Sequence, residues 1–185
     1  MKTTRQLNFI PAAAILVFVT CNNDGSVNRS GADTTVTGST RETGEEDFVT
    51  DIADDNNARL ILLLNAGVSK GMDQEVKSTA QKMLPDHKNL SNELREYAQK
   101  NNIVLPDPDT SNAVTIREKA GVEWDEEWAD EVGDNQLHLL NRFEKAHRQI
   151  DNDTTLKKII AKTLPVLQSH YDASQKLESR LDKSN

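Results

Sequence analysis

Cysteine, aromatic residues, glycine and proline are all scarce in this chain, and each shortage closes off a class of structure. A single cysteine, Cys21, in 185 residues excludes an internal disulfide. Aromatic residues make up 4% of the chain and there are 8 glycines and 5 prolines. A sheet protein would want more Val, Ile, Tyr and Thr in alternation and more turn residues, so this composition suits helices. Basic residues are outnumbered, 22 Lys and Arg against 30 Asp and Glu for a net charge of -8, and they are scattered. Binding nucleic acid or anionic lipid headgroups needs a clustered positive face, so neither is expected as a partner. The chain also lacks a glycine-rich phosphate loop, a nucleophile elbow and any Cys–His zinc spacing. What it has is charge, 28% of residues, and enough length for one domain with both ends left over.

The N-terminal end reads as an export signal. Lys2 and Arg5 precede an apolar run from Phe9 to Val19, and Thr20-Cys21 closes it. The run is too short for a stable membrane span and has the basic start of a secretory signal. A signal that ends on cysteine resembles a bacterial lipobox, although Phe18 and Thr20 stand where Leu and a small residue are usual. The alternative is an ordinary cleaved signal with a chance cysteine. Residues 1–21 are therefore expected to be a signal peptide with Cys21 as the lipid attachment site, and the membrane to be met through that anchor. Residues 22–46 are almost free of apolar side chains and predict a flexible tether. Its root-mean-square reach is on the order of 25–30 Å. The protein is expected to be exported and anchored in the cell envelope, at the outer membrane or facing the periplasm.

Residues 47–185 predict an all-α domain of four long helices. The first runs from about Glu46 to Lys70 and the second from about Met72 to Asn101, with a stripe of Val76, Ala80, Met83, His87, Leu90, Leu94 and Tyr97. After a polar, proline-containing connection and a short helix around Ala113–Ala120, the third runs from about Trp124 to Ile150. Its stripe is Trp128, Val132, Gln136, Leu140, Phe143, His147 and Ile150. The fourth runs from about Thr154 to Asp182 with Leu156, Ile160, Thr163, Leu167, His170, Ser174, Leu177 and Leu181, and Asp153 or Thr154 as its cap. Two hairpins joined by one longer crossover describe a four-helix bundle. The second and fourth helices echo each other in "VKSTAQKMLP" and "LKKIIAKTLP".

Pro85 and Pro165 interrupt neither stripe, so each predicts a kink that frees the carbonyls of Gln81 and Ala161 rather than a helix end. His87 and His170 fall on the inner stripes after these prolines, and His138 falls on a solvated face. Inward histidines in a bundle either ligate a metal or are buried with each ring nitrogen satisfied. If the second and fourth helices run parallel, the two rings are offset by about 4.5 Å along the axis. A di-iron site would need paired Glu-x-x-His motifs and two further glutamates. One such tetrad is present, Glu144 to His147, and Asp55 is the best carboxylate of the first helix. The metal-site candidates are therefore His87, His170, Asp55, Gln136, Glu144 and His147, with iron or another transition metal as the ion; no catalytic residue and no other cofactor is indicated. Trp124 and Trp128, in "EWDEEWADE", read either as a helix start with acids near its positive end or as a peptide or cation site.

The runs "VKSTAQKMLPDHKNLSNELREYAQKNNIVLP", "GVEWDEEWADEV" and "LKKIIAKTLPVLQSHYDASQKL" resemble the bacterial domain-of-unknown-function 4142 family, over nearly everything after the tether. The resemblance implies a ferritin-like four-helix fold, often exported and often lipid-anchored. His87 and His170 match family histidines, while Trp124-Asp125 and Trp128 stand where the family has Phe-Asp and Tyr. The family's third-helix histidine falls on Gln136, and the first-helix glutamate falls near Arg59 or Leu60 and is missing. The reading is an envelope lipoprotein acting as a non-catalytic binding or structural helical bundle. The alternative is a metal-binding or oxidoreductase ferritin-like protein using the core histidines.

Overall fold

A computed structural model describes residues 43–105, 107, 116 and 119–184, apart from the side chains of 43, 54, 55 and 184. The expected signal, Cys21, most of the tether and most of the short helix around Ala113–Ala120 lie outside the described residues.

Among the described residues every regular element is helical. Helix α1 (Thr43–Asp51) passes through a π-helical turn (Ile52–Asn56) into α2 (Asn57–Lys70). The backbone stays helical throughout, and the Asn57 amide bonds to the Ile52 carbonyl five residues back. Three long helices follow: α3 (Gln74–Lys100), α4 (Val122–Gln149) and α5 (Thr154–Leu181), the last closing in a 3-10 turn at Asp182–Ser184. None of the described helices is long and apolar enough to cross a membrane.

The ends follow from capping chemistry. The Asp73 carboxylate accepts from the amides of Glu75 and Val76 to start α3, and Asp153 accepts from Leu156 to start α5. Helix α3 stops where Asn102 takes a left-handed φ of 55°, with Ile103 bonding back to Ala98 at 2.9 Å and Asn102 to Gln99 at 3.4 Å. Both prolines sit inside unbroken helices, on exposed positions. Their missing amide bonds therefore face water, where the freed carbonyls are solvated.

Long-range contacts set the directions. Asp73 pairs with Arg180, His87 with His170, Glu93 with Lys162, and Tyr97 with Asp153. Numbers rise along α3 as they fall along α5, so these helices run antiparallel, not parallel. Arg142 pairs with Asp51, and Phe48 stacks edge-on against Phe143 at 5.2 Å. Helix α4 is thus antiparallel to the α1–α2 rod. Its start lies beside the start of α3, where Asp125 meets Met72 and Asp73. The segment from α3 to α4 therefore joins opposite ends of the two helices.

The core is aliphatic with a few aromatic anchors. Leu60, Leu63 and Leu64 of α2, Leu94 of α3, Trp128 and Phe143 of α4, and Ile160 of α5 are all fully buried. Each such side chain contributes about 1.5–3 kcal/mol by leaving water. The stripe expected on α4 shifts near its end. Ala146 is buried and His147 exposed, because a three-residue step from Phe143 keeps better to the inner face than a four-residue step does.

Candidate functional site

Four polar side chains meet in this apolar interior, one from each long rod. Asn57, His87, Gln136 and His170 are 1%, 1%, 0% and 8% exposed, so every polar atom among them must find a partner inside the protein. His87 is the hub. Its Nδ1 lies 2.8 Å from Asn57 Oδ1, and its Nε2 lies 2.9 Å from Gln136 Nε2 and 3.2 Å from His170 Nδ1.

The proton positions follow from the acceptors. Asn57 Nδ2 donates to the His87 backbone carbonyl at 2.9 Å, which leaves Oδ1 facing the ring. An amide oxygen only accepts, so the His87 proton sits on Nδ1 and its Nε2 carries a bare lone pair. Gln136 donates its amide to that lone pair and also lies 3.6 Å from Met83 Sδ, one turn back on α3. On the far side, His170 Nε2 faces Asp86 Oδ2 at 3.1 Å and must donate to it. Neutral His170 then presents a second lone pair, on Nδ1, to the first. The two rings lie 5.1 Å apart, centre to centre.

Burial works against filling this gap with a proton. It pushes His87 down to about 3, with a smaller push from the neighbouring His170. Burial also lowers His170, against an opposing pull from Asp86. One atom of the cluster has no partner: Gln136 Oε1 is buried and unbonded. The cluster reaches solvent through a cleft of about 110 Å³ between α3 and α5, lined in part by Asp86, His87, Glu93, Lys162, Thr163 and His170. A Glu93–Lys162 ion pair spans its rim.

The structure thus brings together three of the sequence candidates, His87, Gln136 and His170. It places Glu144 and His147 on the exposed face of α4, with Glu144 3.7 Å from Arg148, so the Glu-x-x-His tetrad does not reach the cluster. Asp55 belongs to the π-helical turn, and its side chain lies outside the described set. Asn57, which fills the first-helix place, was not singled out from the sequence. Among the described residues no three His, Cys, Asp or Glu side chains converge as a metal site.

In the tryptophan segment Asp125 and Trp128 hold structural bonds, while the buried Trp124 indole N–H has no hydrogen-bond partner among the described residues. Asp125 is buried, and its carboxylate accepts from the Met72 amide at 3.0 Å and the Asp73 amide at 2.6 Å, closing the turn before α3. Trp128 donates its indole N–H to the Leu63 carbonyl at 2.7 Å. Both groups are satisfied by backbone, which leaves no open peptide or cation site at either.

A family model described as "Domain of unknown function (DUF4142)" matches residues 32–177. No curated protein and no solved structure matches the chain.

Proposed function

The chain belongs to the DUF4142 family of domains of unknown function, and on that premise we propose that it is a lipid-anchored, non-catalytic binding module of the cell envelope, built as a ferritin-like four-helix bundle. The packing of α2 on α3 and of α4 on α5, with a connection between opposite ends, supports the two-hairpin arrangement. Lys2, Arg5, the apolar run to Val19 and Cys21 support export and lipidation; the expected tether is shortened to residues 22–42, because Thr43 to Glu46 already belong to α1.

One observation carries the non-catalytic reading. The four side chains of the central cluster, Asn57, His87, Gln136 and His170, are amides and imidazoles that bond mainly to one another, and none of these bonds activates a hydroxyl or a thiol. A di-iron carboxylate centre does not fit this donor set. Asn57 and Gln136 present amides where such a centre takes glutamates, and Glu144 faces solvent. What survives of a metal-binding reading is a single-ion site on the histidine pair.

Mass spectrometry of the mature N-terminus tests the anchor. A diacyl- or triacyl-modified Cys21 at the first position is expected, with Cys21→Ser moving the protein from the membrane to the soluble fraction. An unmodified mature peptide that lacks Cys21 overturns it.

A further inference from the structure

We propose that the interior cluster binds one soft monovalent cation, copper(I), through His87 Nε2, His170 Nδ1 and Met83 Sδ, with the Gln136 amide turned to add its oxygen. This rests on the reading of the chain as a binding module and names what it binds.

The histidines are already prepared as ligands. Each uses its outer ring nitrogen on an acceptor, His87 on Asn57 Oδ1 and His170 on Asp86 Oδ2. That is how a protein fixes the tautomer and aim of a metal-bound imidazole. The inner nitrogens are left lone pair to lone pair at 3.2 Å, an arrangement that calls for a positive charge between or beside them. A metal ion placed there bonds to both nitrogens at once. With metal–imidazole bonds of about 2.0 Å, nitrogens 3.2 Å apart subtend roughly 105° at the ion, close to the tetrahedral angle. The rings need not separate to admit it.

The remaining groups choose the metal. The Gln136 amide nitrogen occupies the point shared by the His87 lone pair and the Met83 thioether. Its oxygen, in a side chain with 0% exposure, has no partner. Turning the amide by half a revolution replaces a donor with an acceptor at that point, so the oxygen gains the ion as its partner and the NH2 moves to the position the oxygen had held. Two imidazoles, a thioether and an amide oxygen form a neutral, soft-leaning set, which favours copper(I) over ions that want carboxylates or thiolates. The cleft beside His170 and Asp86 supplies an entry path with acidic groups near its mouth.

The test uses the full chain carrying Cys21→Ser, which removes its only thiol, purified without a histidine tag. Copper(I) is offered anaerobically in competition with a chromophoric chelator. One equivalent is expected to bind, in preference to zinc, with a sulfur neighbour in the X-ray absorption spectrum. Met83→Leu conserves core volume and should lose that sulfur signal while still folding. Met83→Leu and His170→Asn should each weaken binding by at least about tenfold, the loss that even an outer-shell change costs a metal site. The site is refuted by a wild-type interior that withdraws no copper(I), by tighter zinc binding, or by folded variants that hold copper(I) as tightly as the parent. If native Cys21 is lipidated and the chain takes up no copper(I), the site falls and the anchored module stands. Copper(I) uptake by a chain whose mature form carries no lipid keeps the site and removes the anchor.

Discussion

His87 shows how much one side chain can hold. It touches a polar partner on each of the other three rods, and it remains neutral because burial holds its pKa down at about 3. A histidine with a lowered folded-state pKa stabilises the fold fully above its unfolded value near 6.5. Below that value the unfolded chain takes up a proton that the folded one refuses, so stability is lost as pH falls from about 6.5 towards 3. The expected slope from this residue is about 1.4 kcal/mol per pH unit. Urea midpoints measured across that window should fall for the parent protein and fall less steeply for His87→Gln; parallel slopes would show that the ring titrates normally. Asn57 was hidden at this same scale. A helix of 3.6 residues per turn carried on from Phe48 and Ile52 turns Asp55 and Arg59 inward. The π-helical turn inserts a residue, places Asn57 directly beneath Ile52 and moves the inner face onto it. No spacing rule in the sequence marks that insertion.

At the scale of elements, the packing of the helices depends on close approach as much as on hydrophobic stripes. Gly67 lies where α2 passes Trp128. A Cβ built there would stand 2.5 Å from Trp128 Cζ2 and 2.9 Å from Ala80 Cβ. The indole cannot easily yield, because its N–H is bonded to Leu63. Alanine for glycine in an open helix stabilises by roughly 0.5–1 kcal/mol, so the sign of the effect is diagnostic. Gly67→Ala is expected to destabilise by about 1–3 kcal/mol, read as a lower urea midpoint with an unchanged slope; a raised midpoint would mean that Trp128 can move. The helix through Gly67 was legible from its apolar stripe, as were the other three; the cap of α5 was legible as Asp153 or Thr154, and the structure uses Asp153. The reason for the glycine was not, since its neighbour Trp128 comes from a different helix.

Across the whole molecule, α3 and α5 are latched at both ends. Arg180 holds Asp73 at 2.7 Å and Glu75 at 2.6 Å at one end, and Tyr97 donates to Asp153 at 2.9 Å at the other. Burial alone would raise the Asp73 pKa, but the Arg180 bond and the amides of Glu75 and Val76 outweigh it and hold the carboxyl low. The two latches share no partner and lie almost a helix length apart. Arg180→Ala and Tyr97→Phe should therefore add within about 0.5 kcal/mol in the double variant, and a larger coupling would reveal that the ends communicate through the helices. The sequence by itself determined the helices, because burial of one face imposes a periodicity that can be read locally, and it put His87, Gln136 and His170 on inner faces. It also carried the family likeness. Only the tertiary structure decided that α3 and α5 run antiparallel, that their histidines nevertheless meet, and that Asn57 and Met83 join them while Glu144 and His147 stay in water. Those outcomes depend on helix direction, on one inserted residue and on which faces meet across the core, and none of these leaves a periodic trace along the chain.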